Sequence, residues 1–261
     1  MEPEDTRKPH ILSRIATGLI ALHRGTYMVL HDALVNLPAL RIGPVRQVLY
    51  KQIYFTGIKA LPAIALLGAL VGIIIITQVT DIVGFKPVLV GKILMWTVVR
   101  ELGPLFAAII VIARSGTAIA SELASMTITG ETRYLEAMGI GTARYMVAPR
   151  VAGVTVSVFV LAFVFQLAAV AGGVIPVSLY ADVPFISSVL NIFAALSIME
   201  IGVSLIKSAA FGLVISVISC YNGLKVFSSI TQVPQATTSA VMQSLSLVFT
   251  MDGIISMLYF I

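Results

Sequence analysis

The chain has 261 residues, of which 58% are hydrophobic and only 11% charged, and its mean hydropathy is +1.01. An ordinary soluble domain is about 25% charged, so these figures exclude one and identify an integral membrane protein. The net charge of +5 does not point to nucleic acid, because eight of the seventeen Lys and Arg residues precede Ala60, where they read as cytoplasmic, lipid-facing charge beside the first apolar run.

The N-terminal "MEPEDTRKPH" is acidic and then mixed. It lacks the short apolar core and small-residue cleavage site of a signal peptide. The following "ILSRIATGLIALHRGTYMVLHDALVNL" spaces Ile15, Leu19, Leu22, Leu30, Leu34 and Leu37 helically among Arg14, His23, Arg24, His31 and Asp32. That pattern predicts a helix lying in the membrane interface, with a soluble helix docked on a partner as the alternative. Residues 1–58 are therefore read as a cytoplasmic N-terminus with an interfacial helix, and 59–261 as a five-span domain.

A span needs about 20 apolar residues to cross a hydrocarbon core of about 30 Å. Five segments qualify, at about 59–79, 93–124, 150–175, 201–221 and 240–261, so the predicted class is an all-α membrane protein. With the N-terminus inside, the inner segments hold twelve Lys and Arg, against Lys86 and Lys92 outside, a positive-inside bias. Five spans do not divide into two equal inverted halves, so a pathway is expected from a dimer. Gly68 and Gly72 form a GxxxG, and Ala113 with Thr117 and Gly116 with Ala120 form small pairs, suited either to a subunit interface or to ordinary bundle packing.

The second span is unusual in carrying Arg100, Glu101, Arg114 and Glu122. At 100° per residue they fit an arc of about 140°, and Arg114 lies about 21 Å along the helix from Arg100. An arginine at that depth costs at least about 2.5 to 3.5 kcal/mol, so Arg114 must face protein, a charge or a wet cavity. Asp252, thirteenth from Ala240, is placed at a similar depth with opposite sign, and an Arg114–Asp252 pair is expected, either as part of a functional network with Glu122 or merely to set helix register. Arg100 and Glu101, beside Gly103-Pro104, suit a headgroup site, with interfacial snorkelling as the alternative.

Enzyme chemistry has little support. All three histidines precede the first span, which excludes a His-based metal or protease site in the bundle. "GFKPVLVGK" fails as a P-loop because six residues separate Gly84 from Gly91 and Ile93 follows Lys92. Cys220 alone makes no intramolecular disulfide and reads as a small buried hydrophobe. The segment "TITGETRYLEAMGIGTARYMVAPR" predicts a short polar helix from Thr129 to Met138, ending at Gly139 or Gly141. It suits either force transmission from a cytosolic engine or a plain connector.

"RELGPLFAAIIVIARSGTAIASELASMTITGETRYLEAMGI", together with "APRVAG" at Ala148–Gly153, "LIKSAAFGLVISVISCYNG" at Leu205–Gly223, "QATTSAVMQS" at Gln235–Ser244 and then Asp252, resembles the MlaE-type permeases of Mla and Mce lipid-transport ABC systems. The resemblance implies an interfacial helix, five spans and a homodimer enclosing a lipid cavity in the inner membrane of a Gram-negative-type bacterium. It also implies a separate cytosolic ABC ATPase that binds the ATP, a periplasmic MCE-domain protein, and phospholipid moving between inner and outer membranes. Arg100, Glu101 and Leu102 with Leu70 and Ile74 would then meet the lipid, and Glu131, Thr132, Arg133, Leu135, Glu136, Met138 and Gly139 would form the coupling helix. Gly130, Thr132 and Val233-Pro234 depart from the more Gly-rich pattern of many relatives. The competing readings are an ion-coupled carrier using Arg114, Glu122 and Asp252 as a relay, and a scaffold anchoring a periplasmic lipid-binding protein.

Overall fold

A computed structural model describes residues 24–84, 87–180, 198–226 and 229–260, and these are helical almost throughout. Helix α1 covers 24–35, so the expected contributions of Arg14, Ile15, Leu19, Leu22 and His23 lie outside the described residues. Helix α2 (Gly43–Thr56) leads through one 3-10 turn at Ile58–Ala60 into α3 (Leu61–Val83). The second span is assembled from α4 (Pro87–Leu94), α5 (Gly103–Val111) and α6 (Thr117–Ile128), joined by π-helical segments at Met95–Leu102 and Ile112–Gly116. Then come α7 (Glu131–Ala137), α8 (Ala148–Tyr180), α9 (Ile198–Leu224) and α10 (Gln232–Phe260).

Among the described residues, five helical runs are long and apolar enough to cross a membrane: 43–82, 89–128, 143–175, 199–224 and 232–258. The five expected spans are therefore present. Each run extends past the sequence-read limits at one end at least, because a helix continues beyond the hydrocarbon, where polar residues are no obstacle to it.

Helix α8 is the axis of the bundle, with α3, α9, α2 and α5 around it. Its Val154, Val158, Leu161, Phe165 and Ala169 are fully buried, and Phe165 stacks on Phe106 of α5 at 5.3 Å. In lipid, apolar burial gives helices little reason to associate, so close van der Waals packing between small residues must do it. The GxxxG of α3 serves that purpose inside one chain. A Cβ on Gly68 would fall 2.6 Å from the Phe165 carbonyl oxygen, and one on Gly72 would overlap the Ala169 backbone. Gly116 likewise meets Ser219 of α9, whereas Ala113 is exposed and Thr117 half-buried.

Replacing Gly72 by Val is expected to force α3 from α8 and cost about 1 to 3 kcal/mol or more, seen as a lower thermal midpoint of the solubilised protein. Gly202→Ala, where no atom lies within 4 Å of the new Cβ, should leave the midpoint unchanged. Equal midpoints for the two variants would refute the α3–α8 contact.

Candidate functional site

The first π segment begins the site. In it Gly103 donates its N–H to the Val98 carbonyl, five residues back, and Pro104 has no N–H to offer. The Val99 carbonyl is thereby left without a helical donor. Gln166 of α8 supplies one, its Nε2 donating to Val99 O at 3.0 Å and to Ser204 Oγ of α9 at 2.6 Å. This buried amide ties three helices at the point where the second span changes its winding, which turns Arg100 and Glu101 toward α9 and α10.

Lys207 of α9 is completely buried. Its Nζ donates to Glu101 Oε2 at 2.5 Å, to Asp252 Oδ1 at 2.8 Å and to Ser256 Oγ at 2.7 Å, so all three ammonium donors are used. Asp252 and Ser256 are i and i+4 on α10, one above the other on one face. The Ser256 hydroxyl in turn donates to the Glu101 carboxylate at 3.1 Å. Arg100, 6% exposed, places its Nε 3.1 Å from Glu101 Oε1. Two cations and two carboxylates close a neutral cluster across the second span, α9 and α10. An isolated buried charge would cost many kcal/mol in such surroundings, whereas a paired and hydrogen-bonded one is tolerated.

The expected Arg114–Asp252 pair does not form within the chain. Asp252 is held instead by Lys207 of α9. Glu122 does not join Asp252 either. Its Oε1 lies 2.8 Å from Nη2 of Arg150, a residue of α8 that is only 5% exposed. Arg114 makes none of the ion pairs found among the described residues and is exposed on the second π segment. Below it Ala118, Glu122 and Ser125 are exposed and Thr117 and Ser121 half-buried, forming a polar strip along α6. Thr117 and Ser121 donate to backbone carbonyls of their own helix at 2.8 and 3.0 Å, which lets hydroxyls stay in an apolar medium.

Beside that strip, α10 is the least apolar span, with mean hydropathy 1.5 against 2.6 for the first. It exposes Gln235, Thr238, Ser246 and Thr250. Of the residues expected to meet lipid, Leu70 and Ile74 lie exposed on α3, Leu102 packs partly against the core, and Glu101 and Arg100 belong to the ion cluster.

The short helix α7 runs from Glu131 to Ala137, inside the expected Thr129–Met138. Gly139 takes φ +76, and the N–H groups of Ile140 and Gly139 donate to Leu135 and Glu136 carbonyls, both at 2.9 Å. That is a Schellman stop. Glu136 also accepts from Thr142 Oγ1 at 2.9 Å, and Thr132 is buried, while Tyr134 and Met138 are 69% and 66% exposed. Arg133 and Glu136 border a cavity of about 540 Å³ with mixed walls that also touches Asp32 of α1 and Leu224 of α9. The helix is fixed at its base and presents an apolar edge outward.

Sequence reasoning counts Lys207 as an intramembrane or edge charge without assigning it a partner, and it does not reach Gln166. The available signal was one lysine inside a 27-residue apolar helix, which needs several oxygens from elsewhere in the chain. Removing it by Lys207→Met should take the ammonium from two half-buried carboxylates, leaving Glu101 only Arg100 and Asp252 no cation, and cost about 3 to 5 kcal/mol, read as loss of folded protein in size-exclusion chromatography. The triple variant Lys207→Met, Glu101→Gln, Asp252→Asn should recover most of that loss. A fully folded Lys207→Met protein would contradict the cluster.

Comparison with known proteins agrees with this architecture. A family model described as Permease MlaE matches residues 49–258. A probable ABC transporter permease protein of Rickettsia prowazekii is 29% identical over 214 residues, covering 80% of this chain and 82% of the relative. A probable ABC transporter permease protein of Synechocystis is 32% identical over 174 residues, 66% of this chain and 65% of its own. The Arabidopsis thaliana protein named trigalactosyldiacylglycerol 1, chloroplastic, is 34% identical over 176 residues, 66% of this chain and 49% of its own. The chain belongs to the MlaE permease family of ABC-transporter membrane subunits.

Proposed function

We propose that the chain moves phospholipid between the inner and outer membranes of a Gram-negative-type bacterium, as a homodimer driven by a separate cytosolic ABC ATPase and coupled to a periplasmic MCE-domain protein. The observation that carries this reading is the polar strip of α6, with exposed Arg114, beside the half-polar face of α10. Facing lipid, Arg114 alone would cost about 2.5 to 3.5 kcal/mol or more. A second copy laid against α6 and α10 encloses that strip and turns the paired surfaces into a chamber with polar and apolar walls, suited to an amphipathic cargo. The name of the Arabidopsis relative, that of a galactolipid, supports a glycerolipid cargo.

In this arrangement the ion cluster stands at one end of the chamber, where the half-buried Glu101 carboxylate borders the headgroup space and the buried Arg100 holds it from behind. Leu102, Leu70 and Ile74 offer apolar surface to acyl chains. The chain itself supplies no catalytic group and binds no cofactor; ATP is hydrolysed by the partner. Helix α7, braced by its Schellman stop and the Thr142–Glu136 bond, receives the ATPase on Tyr134 and Met138, with Glu131, Arg133 and Leu135 behind them. Movement of the ATPase then shifts α6 against α9 and α10, a rigid-body change of the kind that alternates a transporter's access.

Native mass spectrometry of the protein released gently from its own membrane tests this directly. The expected particle contains two copies of the chain, two ATPase subunits and retained phospholipid. A lipid-free monomer without an ATPase would overturn the reading and favour a carrier or a scaffold.

A further inference from the structure

A second, smaller site lies on the outside of the bundle. Helices α1, α9 and α10 enclose an open cleft of about 400 Å³, lined by Tyr27 and Leu30 of α1, Leu213 and Val217 of α9, and Leu247 and Met251 of α10. Its walls are almost wholly apolar. Along α9 the lining runs from Ala210 to Ile218, about 12 Å at 1.5 Å per residue, so it occupies nearly half of a hydrocarbon layer about 30 Å thick.

One end of this cleft is basic. Gly25 of α1 sits directly against the ring of Tyr221, close enough that a side chain there would overlap it. The ammonium of Lys225 stands 5.5 Å above the centre of the same ring. Arg24 is the next residue to Gly25, and both cations are exposed. Lys225 is seven residues past Ile218, so it lies about 10 Å beyond the last apolar lining residue. The headgroup layer begins where the hydrocarbon ends, and that interval puts two cations at its level.

We infer that this cleft binds one anionic phospholipid of the surrounding bilayer, with an acyl chain along Leu213, Val217, Leu247 and Met251 and its phosphate between Arg24 and Lys225. The site is separate from the proposed transport chamber and stands whether or not the chain transports lipid. Cations near a membrane surface attract anionic lipid, and an arginine can hold a phosphate through two parallel hydrogen bonds. Tyr27 and Tyr221 close the cleft with rings that are apolar on their faces and polar at their tips, the side chains suited to a membrane–water boundary. A lipid held there joins α1 to α9 and α10.

Trp96 is the chain's one tryptophan, so a Trp96→Phe, Tyr27→Trp protein carries a single fluorophore in the cleft wall. It is reconstituted in bilayers containing brominated-chain phosphatidylglycerol or brominated-chain phosphatidylcholine at increasing mole fraction. The anionic lipid should reach half-maximal quenching at a mole fraction about fivefold lower than the zwitterionic one. Adding Arg24→Glu and Lys225→Glu, both on the exposed surface, should bring the two lipids to parity without changing the phosphatidylcholine curve. Parity before the charges are reversed would show ordinary annular lipid and overturn the proposal. Absence of quenching by either lipid would show that protein covers the cleft, which also overturns it.

Discussion

The ammonium of Lys207 is the constraint around which the bundle is arranged. It has no access to water, so its charge and its three donors must be met by protein oxygens. Those oxygens come from Glu101, Asp252 and Ser256, which are more than forty residues away along the chain. The cluster therefore sets the rotation of three membrane helices relative to one another. It also accounts for the winding of the second span, because Glu101 reaches Lys207 from a π segment whose released carbonyl is satisfied by Gln166.

Small residues and ionic contacts divide the work of association. Where α3 meets α8, Gly68 and Gly72 let backbones touch, and no polar group is needed. Where the second span meets α8, α9 and α10, ion pairs add to the apolar contact. Glu101–Lys207–Asp252 lies at one end, and Glu122–Arg150 ties α6 to α8 toward the other. Between them the outer face of α6 keeps Arg114 in no ion pair found within the described chain. A membrane helix that pairs its inward charges and leaves one outward has a use for that face, and enclosure by a second copy is the use proposed.

The five spans were legible because their length and apolarity reflect the thickness of a bilayer. The stop at Gly139 was legible because a left-handed residue favours glycine there. The charge pairing was not. A helical wheel advances every residue by about 100°, but each π turn adds a residue and shifts everything after it out of phase. Arg114 and Glu122 follow such turns, which is why an arc drawn from Arg100 misplaced them. Arg150 stands at the sequence-read edge of the third span, and only the fold shows that it turns inward to meet Glu122. The partners of Lys207 were not legible because all three lie on two other helices, and sequence spacing carries no record of such long-range meetings.

ATP hydrolysis on a partner is proposed to move phospholipid through a chamber built by this chain. This is tested most directly by transfer of a labelled phospholipid from proteoliposomes containing the chain with its co-purified ATPase to an acceptor. The account predicts transfer that requires ATP and disappears when the ATPase is omitted. Transfer driven by a proton gradient alone, with neither ATP nor the ATPase present, would contradict it.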